Sequence, residues 1–191
     1  MTAQEQGTKK DQIISFAYAD PPYPGCAKQH YAKDPSGIRA EEVDHKALIE
    51  KLMTFDAWAL STNTPALRWL LPLCPESSRV ASWVKPWCAF KSNVRVAYAW
   101  EPVIFYGARK KMSKYDITVR DWVSVNITMQ RGTHGTKPDE FCFWLFNLIG
   151  LHPNDKFYDL FPGSGAVMMA WEKWKRQGHF SFKFPLPRAV I

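Results

Sequence analysis

Asp20-Pro21-Pro22-Tyr23 follows the apolar run Ile13-Ile14-Ser15-Phe16-Ala17-Tyr18-Ala19, whose β-branched and aromatic residues predict a buried strand. The two prolines remove hydrogen-bond donors from the ladder, so we expect the strand to end at Asp20. There the Asp20 carboxylate can accept a hydrogen bond from an exocyclic amine. The Pro21 carbonyl can accept another because the next residue has a locked φ, and Tyr23 is free to stack on the ring that carries the amine. The alternative is an ordinary proline-rich turn, and these four residues alone leave both interpretations open.

A second motif lies near the other end of the chain, in Asp159-Leu160-Phe161-Pro162-Gly163-Ser164-Gly165-Ala166. The residue pattern predicts a short strand at 156–160, a tight turn at Gly163-Ser164-Gly165 and a helix at 166–175. Such a glycine turn lets the backbone approach a ligand closely beside the helix N-terminus. Ligands of an open α/β sheet bind outside the carboxyl ends of its strands. We therefore expect the strands that end at Asp20 and Leu160 to lie side by side.

The two motifs resemble those of S-adenosylmethionine-dependent amino-methyltransferases that act on nucleic-acid bases. Asp20-Pro21-Pro22-Tyr23 is similar to their catalytic motif, and residues 159–165 are similar to their Phe-x-Gly-x-Gly cofactor motif. The order, with the catalytic motif first, resembles the circularly permuted branch of DNA adenine-N6 and cytosine-N4 methyltransferases. Thr133-His134-Gly135-Thr136-Lys137-Pro138 and the apolar run at 141–151 are similar to the His-x-x-x-Lys-Pro segment and helix of that branch. The overall similarity is to short phage or bacterial adenine methyltransferases.

The resemblance implies a Rossmann-like α/β fold, with an open, mostly parallel sheet, helices on both faces and a shortened C-terminal end. It implies S-adenosylmethionine as the cofactor and DNA as the partner. The implied catalytic residues are Asp20, Pro21, Pro22 and Tyr23. The implied cofactor-binding residues are Asp20, His134, Lys137, Pro138, Asp159, Phe161, Gly163, Ser164 and Gly165. A segment like residues 100–105 forms a strand in the family and helps to wall the base pocket, although sheet core is an equal alternative.

Several related activities stay open at this point. Asp at the first motif position favours adenine-N6 methylation, since Ser is commoner in the cytosine-N4 enzymes of this family. An RNA adenine methyltransferase is the next alternative, although Trp is more usual there than Tyr at the fourth position. A cytosine-N4 DNA methyltransferase and a non-catalytic nucleic-acid-binding subunit of a methyltransferase complex also remain. A subunit of that kind is expected to have a degraded catalytic motif, whereas residues 20–23 are intact.

The chain carries a formal net charge of +7, which favours an anionic partner. Residues 24–39 have no clear period and directly follow the catalytic motif, so they predict a loop that closes over the substrate. A second basic cluster lies at 109–114, for which a solvated loop is the alternative. The predicted nucleic-acid contacts are Lys28, Lys33, Arg39, Arg109, Lys110, Lys111 and Lys114.

Length and composition predict one globular domain. The chain has 191 residues, of which 46% are hydrophobic, and only residues 1–11 predict a flexible polar end. That end lacks the apolar core of a signal peptide, and the apolar run at 141–151 is too short to span a bilayer, so we expect a cytoplasmic protein with no membrane contact. The four cysteines lack zinc-site spacing, which predicts reduced thiols and no metal site.

Between the motifs the pattern alternates as in an α/β fold. Helices are predicted at 40–53 and 64–74, and strands at 57–62, 80–90, 101–107 and, as an edge strand, 121–128. Residues 91–100 predict a hairpin arm or a connecting loop. In the family, an acidic residue after the glycine motif binds the ribose, but residues 178–185 contain no carboxylate. We therefore expect weak cofactor binding unless a homodimer partner or second subunit covers the shortened sheet edge.

Overall fold

The computed structural model describes residues 12–23, 43–87, 93–111, 114, 116–127 and 136–177. Its strands are β1 (Ser15–Ala19), β2 (Ala57–Ser61), β3 (Arg79–Val84), β4 (Trp100–Tyr106), β5 (Trp122–Ser124) and β6 (Lys156–Asp159). Its α-helices are α1 (His45–Leu52), α2 (Leu67–Leu70), α3 (Asp139–Ile149) and α4 (Ala166–Gln177). Short 3-10 turns, Thr64–Ala66 and Leu71–Leu73, flank α2.

The six described strands form one open sheet in the order β5-β3-β4-β2-β1-β6. β1 pairs in parallel with both β2 and β6, and β3 pairs in parallel with β5. β4 is antiparallel to its neighbours β2 and β3, so it alone runs against the other five. This topology confirms the predicted open, mostly parallel sheet.

Helices cover both faces of the sheet, because alternate side chains of the central strands enter two separate cores. Phe16 and Tyr18 of β1 pack into the core that α3 and α4 share. Ala17 and Ala19 of the same strand pack into the second core, with α1 and α2. All four β1 residues are fully buried, which explains why this strand has an almost continuous apolar sequence.

β1 and β6 lie side by side, as predicted. Tyr18 is opposite Asp159 in the parallel register, and the Leu160 N–H donates to the Tyr18 carbonyl at 2.9 Å. The carboxyl ends of the two strands therefore meet at one edge of the sheet, which we call the carboxyl edge. The opposite edge, where the parallel strands begin, is the amino edge.

The ends of α3 are set by acidic residues in its first turn and by a glycine after its last residue. Asp139 and Glu140 occupy its first turn, where carboxylates are stabilised by the helix dipole. Gly150 ends the helix with a left-handed φ of 76°, and its N–H contacts the Asn147 and Phe146 carbonyls. The helix therefore covers 139–149, rather than the apolar run at 141–151 alone, and it fixes the segment that precedes it against the sheet.

Three other elements differ from their predicted bounds. α1 starts at His45 because the Asp44 carboxylate caps the helix at the N–H groups of Lys46 and Ala47. The helix predicted at 64–74 is broken into short pieces, since Pro65 and Pro72 cannot donate backbone hydrogen bonds. The strands predicted at 80–90 and 121–128 are shorter, at Arg79–Val84 and Trp122–Ser124. None of the described helices combines the length and the apolar character that crossing a membrane requires.

Candidate active site

The two predicted motifs come together at the carboxyl edge. Asp20 follows β1 directly and Asp159 ends β6, its parallel neighbour. The glycine turn then leads from β6 into α4. In open α/β sheets this edge is where ligands bind, so its side chains define the candidate site.

Asp20 is held by a buried lysine. Lys137 Nζ lies 2.9 Å from Asp20 Oδ2, and the two side chains are 5% and 21% exposed. Desolvation raises the pKa of Asp20 above its ordinary value, and the charge and hydrogen bond of Lys137 oppose that rise. The lysine thereby favours the ionised form, which is the form that acts purely as a hydrogen-bond acceptor.

Lys137 also reaches a second carboxylate, at 3.5 Å from Glu101 Oε2. Its ammonium lies over the rings of Trp83 and Phe141, 5.2 Å and 5.9 Å from their centroids. Burial alone would lower the pKa of Lys137, but Asp20 and Glu101 outweigh it and hold that pKa well above its usual range. Lys137 is therefore a permanent cation between two carboxylates. The neighbouring Pro138 is buried at the N-cap position of α3.

The Tyr23 hydroxyl donates to Glu101 Oε2 at 2.7 Å. Burial, followed by the charges of Asp20 and Glu101, raises the pKa of the Tyr23 phenol well above its ordinary value. The phenol therefore stays neutral and continues to donate. Pro21 is buried and Pro22 half-buried, so the whole motif is fixed against the sheet.

Glu101 is the functional candidate that sequence reasoning did not single out as a charged group. Its Oε1 atom forms an ion pair with Lys85 Nζ, and its Oε2 atom receives Tyr23 and Lys137. Desolvation would raise the pKa of Glu101, but Lys137 and Lys85 together hold it below the ordinary value. The available signal was a carboxylate at the start of an otherwise apolar strand, Trp-Glu-Pro-Val-Ile-Phe-Tyr.

Asp159 carries an unsatisfied acceptor toward the cofactor motif. Its Oδ1 atom accepts from the Phe161 N–H at 3.2 Å, whereas its Oδ2 atom is buried with no hydrogen-bond partner in the described part of the chain. Desolvation raises the pKa of Asp159 to about 6, with Asp20 adding to the rise and the Phe161 N–H opposing it. An unpaired buried acceptor costs free energy, so this carboxylate suits a ligand that brings a donor.

The glycine turn is open and depends on left-handed backbone. Gly163 has a φ of 50° and Gly165 a φ of 77°. A Cβ atom built on Gly165 meets nothing within 4 Å, and one on Gly163 meets only the Phe161 carbonyl oxygen, at 3.8 Å. The turn therefore leaves room beside the N-terminus of α4. Ser164 is exposed there, and Phe161 packs against the core that contains α1.

The basic cluster at 109–114 lies away from this site, and the contacts of Arg109 favour a structural role over the predicted contact with nucleic acid. The Arg109 guanidinium donates to both Asp155 oxygens at 2.9 and 3.0 Å, and to the Gly150 and Gln12 carbonyls at 2.8 Å each. Four N–H groups of the guanidinium are therefore engaged by the fold, which leaves few donors for a phosphate. The cause is the reversed direction of β4, whose last residues lie at the amino edge.

The loop that carries Lys110, Lys111 and Lys114 leaves β4 at the amino edge and returns to the same edge at the start of β5. Lys111 Nζ donates to Thr118 Oγ1 at 2.8 Å. These three lysines are therefore not part of the candidate site. Lys28, Lys33, Arg39 and His134 lie outside the described residues.

A cavity of about 220 Å³ flanks the site on the other face of β4. It is lined by Thr64, Val96, Ala97, Tyr98 and Trp100. Trp100 begins β4 at the carboxyl edge, one residue before Glu101. Because side chains alternate along a strand, these two point to opposite faces of the sheet. Tyr98 is 61% exposed, so aromatic surface continues from the cavity to solvent.

Among the described residues, no group of three or more His, Cys, Asp or Glu side chains is arranged to hold a metal ion. Burial raises the pKa of the Cys74 thiol to about 11 and that of the Cys142 thiol further still. Neither of these two thiols is therefore an activated nucleophile.

No family model matches this chain. No curated protein matches it by sequence. Among solved structures, the crystal structure of the M1.HpyAVI–SAM complex matches with a TM-score of 0.59 at 14% sequence identity, over 85% of this chain and 79% of that one. The crystal structure of M1.HpyAVI matches with a TM-score of 0.51 at 13% identity, over 85% of this chain and 77% of that one. The chain has the Rossmann-like methyltransferase fold.

Proposed function

We propose that this protein transfers a methyl group from S-adenosylmethionine to the exocyclic N6 amine of adenine in DNA. The observation that carries the proposal is the meeting of Asp20-Pro21-Pro22-Tyr23 and the Asp159 glycine turn at the carboxyl ends of two adjacent parallel strands. The fold shared with the M1.HpyAVI–SAM complex supports the same cofactor.

The residues of the glycine turn fit S-adenosylmethionine. The buried Asp159 Oδ2 atom lacks a partner in the described residues, and the cofactor carries amine and hydroxyl donors that could supply one. The open Gly163-Ser164-Gly165 turn would receive it beside Phe161 and the N-terminus of α4. When bound, the cofactor supplies an electrophilic methyl group on a sulfonium.

The catalytic task of this chain is to make a poor nucleophile reactive. The lone pair of an exocyclic base amine is delocalised into the ring. Hydrogen bonds from the amine to the Asp20 carboxylate and the Pro21 carbonyl favour a tetrahedral nitrogen and stabilise the positive charge that develops on it. Tyr23 orients the base by stacking, which aligns the amine for in-line transfer.

Lys137 supports this role of Asp20. Burial would otherwise favour the protonated carboxyl group, which is a poorer acceptor for an amine. The cation 2.9 Å away favours the ionised group at neutral pH. Its second partner, Glu101, is the residue that also receives Tyr23.

Nucleic acid as the substrate is supported by charge and by aromatic surface. The net charge of +7 attracts a polyanion. A base in a duplex must leave the stack to reach a cleft of this kind, and exposed aromatic rings stabilise unstacked bases. Tyr98 and Trp100 provide such rings at the carboxyl edge. Adenine in DNA is favoured by the resemblance of residues 20–23 to the adenine-N6 branch.

Radiolabelled S-adenosylmethionine, incubated with the protein and separately with duplex DNA, RNA and a protein mixture, tests the proposal. We expect label in DNA alone. Preferential label in RNA would select the RNA alternative. Label in none of the polymers, from a protein that binds the cofactor, would reject catalysis by the isolated chain.

A further inference from the structure

We propose that Glu101 is a positioning residue that holds Tyr23 directly, by a hydrogen bond, and Asp20 through a shared cation, Lys137. The inference rests on the proposed function, because it assigns a task within the same site. The site residues implied by the catalytic motif end at Tyr23, whereas Glu101 is the second residue of β4.

The connections form an unbroken chain of contacts. Asp20 Oδ2 lies 2.9 Å from Lys137 Nζ, and Lys137 Nζ lies 3.5 Å from Glu101 Oε2. The same Oε2 atom accepts the Tyr23 hydroxyl at 2.7 Å. The side chains of Asp20 and Tyr23 are thus both linked to the Glu101 carboxylate. The backbone of residues 20–23 alone would leave these two side chains free to rotate independently.

The charges of this group balance. It contains two carboxylates, Asp20 and Glu101, and two ammonium groups, Lys137 and Lys85. Their side chains are only 5–21% exposed, so removing one charge leaves another uncompensated in a poorly solvated place. The charge of Glu101 therefore opposes the effect of Lys137 on Asp20.

The sheet explains why Glu101 can do this. Glu101 is opposite Trp83 in the antiparallel register of β4 and β3, and Lys85 follows the end of β3. Alternation directs Glu101 to the same face as Val103 and Phe105, which is the face that contains Trp83 and Phe141. The carboxylate thus enters the aromatic surroundings of Lys137 from β4, whereas Asp20 reaches the same ammonium from the end of β1.

The two charged neighbours of Asp20 act on it with opposite signs. Lys137 lowers the pKa of Asp20, whereas Glu101 raises it. Other titratable groups whose charges interact with Asp20 are Lys85, Tyr18, Tyr23, Asp159 and Cys142. These stay in place when either Glu101 or Lys137 is changed.

Glu101→Gln keeps an amide oxygen for the Tyr23 hydroxyl and removes only the negative charge. We expect the acid limb of kcat/KM, which reports Asp20 protonation, to move to lower pH in this variant. Lys137→Met should move the same limb to higher pH. Glu101→Asp, which restores the charge, should bring the limb back toward that of the wild type. A role in folding alone would lower stability without moving the limb in opposite directions.

A second readout does not depend on activity. The side-chain carboxyl carbon of Asp20, labelled with ¹³C and assigned by its loss in Asp20→Asn, reports its titration by NMR in the cofactor-free protein. Opposite displacements in Glu101→Gln and Lys137→Met support the positioning role. If the Asp20 carboxyl group of Glu101→Gln titrates at the same pH as in the wild type, or at a higher pH, the positioning role is overturned. This outcome is decisive even if Lys137→Met does not fold. If the displacements occur but no polymer is methylated, the proposed function fails and the coupling stands.

Discussion

Lys137 Nζ lies 2.9 Å from Asp20 Oδ2 and joins two segments from opposite parts of the chain. Asp20 directly follows the first strand, whereas Lys137 precedes α3, beyond four further strands. The resemblance places Asp20 in the catalytic motif and Lys137 in the His-x-x-x-Lys-Pro segment, and it implies that both contact the cofactor. The ion pair shows that the lysine acts directly on the Asp20 carboxylate, and that the charge of this carboxylate depends on both segments.

Gly163→Val should abolish S-adenosylmethionine binding with only a modest loss of stability. A valine at a φ of 50° is strained by roughly 1–2 kcal/mol, and its branched side chain fills the open turn. Calorimetry measures the affinity. Gly150→Val is the matched control, since Gly150 has a left-handed φ of 76° but lies at the end of α3, and its folded fraction should still bind. Wild-type affinity in Gly163→Val would show that the cofactor site is misplaced.

Asp159→Asn should separate stability from binding. The pKa of Asp159 is about 6 in the folded chain and about 3.9 in an unfolded one, so the native state loses stability as pH rises through that interval. Removing the charge should therefore stabilise the cofactor-free protein at pH 7.5. It should also weaken cofactor binding by about tenfold or more, because a charge-assisted hydrogen bond is lost.

Urea unfolding and calorimetry at pH 7.5 measure the two effects of Asp159→Asn. In the wild type, cofactor affinity should fall as the pH is lowered through about 6. An asparagine variant that is less stable and binds normally would contradict the role given to Asp159.

Arg109→Ala should destabilise the fold and leave the affinity of folded protein for DNA unchanged. Asp155 has a side chain that is 1% exposed, and loss of its guanidinium partner leaves a buried charge unpaired, which costs roughly 3–5 kcal/mol. Thermal and urea unfolding measure the loss. Lys110→Ala is the control at an exposed neighbour, where we expect a change within about 0.5 kcal/mol. A stable Arg109→Ala protein with a reduced salt dependence of DNA binding would restore the phosphate role.

The isolated chain should bind S-adenosylmethionine weakly, in the range of tens of micromolar or above on an order-of-magnitude basis. Residues 178–185 contain no carboxylate to receive the ribose hydroxyls, and each such hydrogen bond contributes about 1.5–3 kcal/mol. Calorimetry combined with light scattering gives affinity and oligomeric state together. Submicromolar affinity in a strict monomer would refute this prediction.

The sequence was most informative where function depends on a local pattern. Apolar runs, prolines and glycines were enough to predict the buried strand before Asp20 and the strand, turn and helix around Gly163. The proximity of the carboxyl ends of β1 and β6 followed from the general topology of open α/β sheets. Glu101 could not be identified in this way, because its importance depends on partners that only the fold brings near. The structural contacts of Arg109 could not be predicted, because composition does not reveal the reversed direction of β4, which sends the basic loop to the amino edge.

Mass spectrometry of nucleosides from DNA incubated with S-adenosylmethionine and the protein tests the central claim most directly. The wild type should produce N6-methyldeoxyadenosine. Asp20→Ala should produce at least about a hundredfold less, because it lacks the acceptor for the developing charge, while its cofactor affinity stays within a few-fold. Asp121→Ala, which removes a largely exposed carboxylate away from the site, is the control and should match the wild type. N6-methyldeoxyadenosine formed at a substantial rate by Asp20→Ala, or methylation found only at cytosine N4, would contradict the account.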